Sequence, residues 1–313
     1  MATRPTYRRL DPVRVGPFDP YQHREQVWKQ ERGQSVHVAP AMFNAEENVS
    51  PAAVASIHKA FTLAKTSHNG WRSFKREGRF DPRRAAGATR LEQDVFQRKT
   101  GRSTTHVKVS VLIDASGSMG DQGTGRVPNP LEPTSKRRLV VTAQLAAAVF
   151  GATVAKALSQ VPTVDLDVYQ HSAGISNDMY IKWRWHKGTP LAVFNEAATL
   201  TMPGGGNADG HALFAITSRM LKEIKRDEKG VILIVSDGMP SVYARDGQSK
   251  AGQALIDAVA HARKNGIEVI AVAIDGSDQS IYYGKDGVLP FNGDWGPLGT
   301  GLAKHIGAAL ARR

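Results

Sequence analysis

The sequence of 313 residues contains no cysteine. This absence excludes disulfide bridges, zinc sites built from thiolates and a cysteine nucleophile, and it fits a reducing compartment. No apolar run approaches the roughly 18 residues of a membrane-spanning helix. The first 20 residues contain arginines but no apolar stretch of the kind found in secretory signals. We therefore expect a cytoplasmic protein without a membrane partner.

Several motifs of catalysis and nucleotide binding are also missing. The glycine-rich stretch at 120–126 does not end in Gly-Lys-Ser/Thr, so it lacks the lysine that grips phosphate in ATPases. The serines at 114–118 do not stand in the Gly-x-Ser-x-Gly turn of serine hydrolases, and the His-Glu-x-x-His pattern of zinc hydrolases is absent. Glycines 204–206 lack the continuation of a dinucleotide-binding loop. We expect no catalytic activity of the chain's own.

The positive charge is concentrated in the N-terminal third. Residues 1–106 hold 19 Lys and Arg against 10 Asp and Glu, a balance of +9 within a total of +12. In 70–102, arginines alternate with the aromatic residues Trp71, Phe74, Phe80 and Phe96. This pattern suits contact with nucleic acid or with an acidic protein surface, and it equally suits a solvated surface or packing on a neighbouring domain. Nucleic-acid binding through 70–102 is therefore one alternative function, and a structural role in a larger assembly is another.

The chain divides into three parts. Prolines recur and apolar residues are sparse in 1–50, which predicts an extended arm. A Ser-Pro pair opens 51–106, and Ile57 and Phe61 follow at helical spacing, which predicts a basic helical pre-domain. Residues 107–313 form the main domain.

In the main domain, strand patterns alternate with helical patterns. Strands are predicted at 107–113, 164–169, 180–185, 231–235 and 267–274, with a minor strand at 282–283. Helices are predicted at 135–159, 191–199, 210–224, 251–264 and 298–310. This alternation predicts an α/β fold with a Rossmann-like, mainly parallel central sheet flanked by helices, preceded by the extended basic segment. In such sheets, ligands bind beyond the carboxyl ends of the strands.

Side chains that offer hard oxygen ligands stand at these predicted strand ends and at one helix start. They are Asp114, Ser116, Ser118, Asn207, Asp209 and Asp237. Carboxylates and hydroxyls at this spacing suit a small hard cation, and Mg²⁺ prefers oxygen ligands in octahedral geometry. Mg²⁺ is the expected ion, with Mn²⁺ and Ca²⁺ as alternatives. A coordination position left open can be filled by an acidic side chain of a partner protein. We expect the scattered histidines, including His171 and His211, to be satisfied or solvent-facing.

The run Asp-Ala-Ser-Gly-Ser at 114–118 resembles the first motif of the von Willebrand factor A (vWA) family. The metal-ion-dependent adhesion site (MIDAS) of that family is completed by a second-loop Thr and a third-loop Asp. Asp237 matches the third-loop Asp, whereas the second loop has Asn207 in place of Thr, with Asp209 two residues further on. Either of the two is the second-loop ligand. The resemblance covers about 107–310 and implies a binding module that docks to a partner's carboxylate.

Four further segments are similar to the cobaltochelatase large-subunit branch of this family. They are Asn-Ala-Asp-Gly-His-Ala-Leu at 207–213, Asp-Gly-Met-Pro at 237–240, Gly-Arg-Phe-Asp-Pro-Arg-Arg at 78–84 and Val-Phe-Gln-Arg-Lys at 95–99. Members of that branch work beside an AAA+ ATPase of the chelatase or MoxR type, so the resemblance implies such a partner. The long acidic linker of a full chelatase subunit is missing. This points to a standalone relative, carried by a bacterium or a phage, and not to a cobalt-inserting subunit.

Overall fold

The structure is a computed structural model. It describes residues 44–66, 71–75, 79–84, 95–99, 106–120, 126–128, 140–173, 179–198, 206–225, 228–238, 240–241, 248–274, 276–291 and 293–311. Most of the arm predicted at 1–50 lies outside these ranges. So do the glycines at 204–205 and most of the glycine- and proline-rich stretch after residue 120.

Strands and helices alternate along most of the described chain. The strands are β1 (Trp71–Lys75), β2 (Arg79–Phe80), β3 (Phe96–Lys99), β4 (Val107–Asp114), β5 (Arg126–Pro128), β6 (Val140–Thr142), β7 (Val164–Ala173), β8 (Met179–His186), β9 (Lys229–Ser236), β10 (Ile267–Ala273) and β11 (Val288–Pro290). The helices are α1 (Ala45–Asn48), α2 (Pro51–Thr66), α3 (Gly117–Gly120), α4 (Ala143–Ser159), α5 (Val193–Ala197), α6 (Asp209–Glu223), α7 (Gln248–Lys264), α8 (Ser280–Tyr283) and α9 (Trp295–Ala311). Single 3-10 turns occupy Pro82–Arg84 and Lys285–Gly287.

The central sheet has six strands in the order β11-β10-β9-β4-β7-β8. Neighbouring strands from β11 to β7 run parallel, and only the edge strand β8 is antiparallel to its neighbour. The interior strands are almost continuously buried, as expected for parallel strands covered on both faces. The predicted α/β fold with a mainly parallel sheet flanked by helices is confirmed.

Side chains of each interior strand alternate between two apolar cores. On β9, Leu233 belongs to the core that also contains α2, α4 and α9, whereas Ile232 and Ile234 belong to the core under α6 and α7. Successive residues of a strand point to opposite faces, so one apolar strand supplies both cores. The helices on each face thereby fix the sheet that positions the candidate site.

Helix α2 is part of the first core. Its side chains Ile57 and Phe61 are buried there, and Ala45 and Val49 just before it are buried as well. The Ser50 hydroxyl accepts a hydrogen bond from the Ala53 N–H at 3.5 Å, which agrees with the predicted helix start. The helix therefore packs with the main domain, although the sequence assigns it to a separate pre-domain at 51–106.

The described remainder of 51–106 is built from strands. Strands β1, β3 and β2 form a small antiparallel sheet in that order. Phe80 on β2 packs edge-to-face on Phe96 of β3, with ring centroids 6.5 Å apart. Among the described residues of this segment, the helical parts are α2 and the 3-10 turn at Pro82–Arg84, and the aromatic residues of the small sheet fit the preference of such side chains for a pleated surface.

Two predicted element boundaries are corrected. The helix predicted at 135–159 begins at Ala143, because the β-branched run Val140–Thr142 forms β6, and the Thr142 hydroxyl then caps the helix by accepting from the Leu145 N–H. The minor strand predicted at 282–283 is instead the end of α8, and the short edge strand lies at Val288–Pro290. Within the described residues, no helix has the length and apolarity needed to span a membrane.

Candidate metal centre

The candidate site lies at the carboxyl ends of three neighbouring strands. In the register of the sheet, Asp114 at the end of β4 pairs with His171 on β7, and Ile113 pairs with Val235 on β9. The loops that follow β4 and β9 therefore leave the sheet side by side. This is the edge at which the sequence predicts ligands of a parallel sheet.

Four side-chain oxygen groups form a continuous chain across these loops. The Ser116 hydroxyl donates to Asp114 Oδ2 at 3.1 Å, and the hydroxyl oxygens of Ser116 and Ser118 are 3.1 Å apart. The Ser118 hydroxyl donates to Asp237 Oδ1, also at 3.1 Å. These four residues are called the oxygen chain below. It joins the first and third predicted loops directly.

Local backbone geometry holds the first loop in place. Asp114 Oδ1 accepts from the Ser116 N–H at 2.8 Å, and the Ala115 N–H donates to the His171 carbonyl at 2.8 Å. The short helix α3 then begins at Gly117 and presents Ser118 to solvent. Asp114, Ser116 and Asp237 are buried and only Ser118 is exposed, so the oxygen chain reaches the surface at Ser118.

Ser236, the residue before Asp237, connects all three loops. Its buried hydroxyl donates to Asp114 Oδ2 at 3.2 Å and accepts from Asn207 Nδ2 at 3.0 Å. Its carbonyl accepts from Gln279 Nε2 at 3.2 Å. Sequence reasoning does not single out Ser236 or Gln279 as site residues. The position of Ser236 between a buried strand and Asp237 is the signal that could have found it.

Backbone hydrogen bonds join the second loop to the end of β7 and to Ser241. Gly206 exchanges two hydrogen bonds with Ala173 at the end of β7, at 2.7 and 2.9 Å, and the Asn207 carbonyl accepts from the Ser241 N–H at 2.9 Å. Asn207 Oδ1 accepts from the Asp209 N–H at 3.0 Å, which fixes the turn into α6. Both second-loop candidates are buried, and neither is hydrogen-bonded directly to the oxygen chain.

The charge balance at the site disfavours an ionised Asp114. Burial raises the pKa of the Asp114 carboxyl to about 8, and the negative charges of Asp209 and Asp237 raise it as well. The positive charge of His171 and the hydrogen bond from the Ser116 N–H act in the opposite direction. Carboxylates that are buried close to one another stay ionised only when a positive charge compensates them, and otherwise one of them takes up a proton.

His171 lies beside this cluster and is fully buried. Its Nε2 is 3.2 Å from Asp209 Oδ1, the distance of an ion pair. Burial lowers the pKa of His171, but the hydrogen-bonding and charge interactions with Asp209 and the charge of Asp114 raise it more, and the net shift is upward. His171 is buried, and its Nδ1 has no hydrogen-bond partner among the described residues, so the expectation of a satisfied or solvent-facing histidine is not met here.

The donor set fits a hard divalent cation. It consists of carboxylate and hydroxyl oxygens, the ligand types that Mg²⁺, Mn²⁺ and Ca²⁺ accept. Across the residues that the structure describes, no three His, Cys, Asp or Glu side chains are grouped as a metal cluster. In a metal site, Asp114 and Asp237 would therefore need the serine hydroxyls to complete the set. The raised pKa of Asp114 means that its carboxyl holds a proton more tightly than usual, and a bound cation would have to displace that proton.

The similarity of this chain to known proteins is limited to weak structural matches. No family model and no curated protein matches the sequence. Among solved structures, the pilus adhesin SpaC from Lactobacillus rhamnosus GG in its open conformation has 15% identity and a TM-score of 0.42, over 66% of this chain and 30% of the adhesin chain. The manganese-loaded TRAP protein of Plasmodium vivax has 13% identity and a TM-score of 0.38, over 65% of this chain and 74% of its own. Both TM-scores are low, so the description of the fold rests on this chain's own topology.

The structure thus places the predicted ligands in two groups. Asp114, Ser116, Ser118 and Asp237 are brought together in the oxygen chain. Asn207 reaches the chain through Ser236, and Asp209 faces His171. The assignment of all six residues to a metal site stays a prediction.

Proposed function

We propose that this chain is a vWA-type binding module that holds one divalent cation at the oxygen chain and docks through it to a carboxylate of a partner protein. Asp114, Ser116, Ser118 and Asp237 would hold the ion, with a contribution from Asn207 or Asp209. Mg²⁺ is the preferred ion, with Mn²⁺ and Ca²⁺ as alternatives. The observation that carries the proposal is the continuous oxygen chain between two loops that are far apart in sequence.

The exposure of one member of the oxygen chain supports a docking role. Asp114 and Asp237 at its two ends are buried, whereas Ser118 is exposed. When bound, the ion would supply a positive centre that attracts an incoming carboxylate. The chain's own residues would then anchor the ion from below and leave its outer side accessible. The module has no catalytic role in this proposal.

An AAA+ ATPase of the chelatase or MoxR type is the proposed partner. Support for it comes from the sequence segments at 207–213 and 237–240, which are similar to the cobaltochelatase large-subunit branch. Asn207 and Asp209 of the first segment lie next to the oxygen chain, as a role in docking requires. The basic N-terminal region would provide a second contact surface.

A pull-down from the native host tests this function. Wild type is compared with Asp114→Ala and Ser118→Ala, each with Mg²⁺ and with EDTA, and with Asp165→Ala as a matched control. Asp165 is 66% exposed at the opposite end of β7. The proposal predicts that an ATPase is captured by wild type and by the control in Mg²⁺ only. Capture of the same proteins in every condition and by every variant would refute metal-dependent docking.

Nucleic-acid binding is a second candidate, favoured by one observation. Phe80 is 41% exposed on the small antiparallel sheet, and Arg79 and Arg83 beside it are exposed. An exposed aromatic ring among arginines can stack a base while the arginines contact phosphate. Affinity for single-stranded oligonucleotide that falls steeply with salt, and falls further in Phe80→Ala, would support this candidate.

A further inference from the structure

Directly behind the oxygen chain, a histidine and a carboxylate face each other in the protein interior. His171 on β7 and Asp209 at the start of α6 are 0% and 1% exposed, and His171 Nε2 is 3.2 Å from Asp209 Oδ1. Neither of these two atoms has a hydrogen-bond partner among the described residues. The contact between them is therefore electrostatic and is not a well-formed hydrogen bond.

Asn207, the other second-loop candidate, is oriented differently. Its Nδ2 donates to the Ser236 hydroxyl, which in turn donates to Asp114 Oδ2. Its Oδ1 accepts from the Asp209 N–H, so the same side chain sets the start of α6 and with it the position of Asp209. Asn207 is thus one residue removed from the oxygen chain, whereas Asp209 points toward β7.

The two candidates would have opposite effects on a bound ion. Asp114 and Asp237 already supply two negative charges, which balance a divalent cation. A third carboxylate would tighten ion binding, because affinity at such sites rises with the charge of the ligands. It would also leave the site with a net negative charge, which repels the carboxylate of a partner. The amide of Asn207 adds no charge.

We propose that His171 is a positioning residue that holds the Asp209 carboxylate out of the ligand set, so that Asn207 is the second-loop member and the ion keeps its attraction for a partner's carboxylate. This inference rests on the proposed function. A partner's carboxylate is attracted to the ion only when the protein's own ligands carry no more negative charge than the ion carries positive charge. The contact between His171 and Asp209 meets this condition, because it holds the third carboxylate away from the ion.

Titration calorimetry with Mn²⁺ tests the inference without any partner. The chains compared are wild type, His171→Leu, Asp209→Asn, the double variant, and His171→Gln, in which an N–H donor remains. In His171→Leu the released carboxylate reaches the ion, so Mn²⁺ binds tighter, by on the order of tenfold. The gain disappears in the double variant and in His171→Gln. Asp209→Asn alone leaves the affinity close to that of wild type.

Whether His171→Leu strengthens or weakens Mn²⁺ binding distinguishes a positioning role of His171 from a purely structural one. If His171 only supports the fold, His171→Leu weakens Mn²⁺ binding and lowers the melting temperature in EDTA, and the inference is overturned. A loss of about ten- to hundredfold in Asp209→Asn would show that the Asp209 carboxylate contributes to ion binding and would also overturn the inference. If wild type itself binds no Mn²⁺, the proposed function fails and the inference falls with it. If His171→Leu does not fold, the same comparison is made with His171→Asn, in which the side chain is shorter.

Discussion

The hydroxyl of Ser118 donates a hydrogen bond to Asp237 Oδ1 across 3.1 Å, although the two residues are 119 positions apart in the chain. The contact exists because β4 and β9 are parallel neighbours, so the loops at their carboxyl ends emerge together. Ser118 is exposed at this point, whereas Asp237 and the other members of the oxygen chain are buried. The consequences of this arrangement can be measured in the free protein.

Replacing Ser118 by Ala removes one oxygen of the chain at an exposed position. We expect the melting temperature in EDTA to stay close to that of wild type, because an exposed hydroxyl contributes little to folding. We expect Mg²⁺ affinity to fall by about tenfold or more. The stabilisation of wild type by Mg²⁺, about 2.7 kcal/mol at 100 times the dissociation constant, should then fall to about 1.4 kcal/mol or less at the same Mg²⁺ concentration. Thermal unfolding with and without Mg²⁺ measures both quantities.

Ser159→Ala is the matched control, because Ser159 lies at the end of α4 and its hydroxyl contacts only the Lys156 carbonyl among the described residues. Equal stabilisation of wild type and both variants by Mg²⁺ would show that the Ser118 hydroxyl does not hold the ion.

The stability of the metal-free protein should fall as the pH rises. The pKa of Asp114 is raised from an ordinary value of 3.8 to about 8 in the folded state, so the folded state binds this proton more tightly than the unfolded state. The resulting stabilisation is fully present below about 4 and is lost as the pH rises through about 8. Melting temperatures in EDTA across this range measure it, and Asp114→Asn should have a flatter profile. Identical slopes for wild type and the variant would contradict the assignment.

Saturating Mg²⁺ should change this pH dependence. A bound cation requires the ionised carboxylate, so metal binding becomes stronger as Asp114 loses its proton. The difference in melting temperature between Mg²⁺ and EDTA should therefore widen as the pH rises. A difference that is constant with pH would mean that Asp114 does not titrate with metal binding.

Gly210 is a position at which a side chain should disturb the second loop. An added Cβ would lie 2.7 Å from the Leu255 backbone nitrogen and 2.8 Å from the Ala254 carbonyl carbon, so α6 and α7 would have to move apart. We expect Gly210→Ala to lower the free energy of unfolding by about 1 to 3 kcal/mol. Because Asn207 and Asp209 lie at the start of α6, Mn²⁺ affinity should fall as well. Gly296→Ala, at the start of α9, is the control, since an added Cβ there comes no closer than 3.4 Å to another atom.

Helix α2 should contribute to the stability of the main domain. Ile57 is fully buried in the core shared with α4 and α9. We expect Ile57→Ala to lower the free energy of unfolding by about 2 to 5 kcal/mol in a single transition. Thr62→Ala, on the exposed side of the same helix, should change it by less than about 0.5 kcal/mol. A separate, earlier transition affected by Ile57→Ala alone would indicate an independent pre-domain.

The sequence predicts the sheet and the strand-end loops well because the interior strands are continuous apolar runs. The run at 231–235 is buried on both faces, and such a pattern has few alternative structures. The beginning of α4 and the helix α8, by contrast, are predicted incorrectly from the sequence. Val140 and Val141 follow a helical pattern and have β-branched side chains, and Tyr282 and Tyr283 are aromatic residues that occur in either element. Tertiary contacts decide both, and the sequence alone does not contain them.

The candidate site, like the fold, can be predicted from the sequence only in part. Asp114 and Asp237 follow buried strands, so their proximity can be predicted from the order of strands and loops. The role of Ser236 as a connection, and the pairing of His171 with Asp209, depend on the lateral register of β4, β7 and β9. That register brings residues together across the sheet, and no local pattern in the sequence encodes it.

Calorimetric titration of Mg²⁺ and Mn²⁺ into the metal-free full chain, beside Asp237→Ala, tests the central claim most directly. Two carboxylates and two serine hydroxyls in one oxygen chain predict binding of one ion per chain, with affinity reduced by about tenfold or more in the variant. Both proteins should remain folded in EDTA by circular dichroism. Absence of binding by the folded wild type, or equal affinity in the folded variant, would contradict the account.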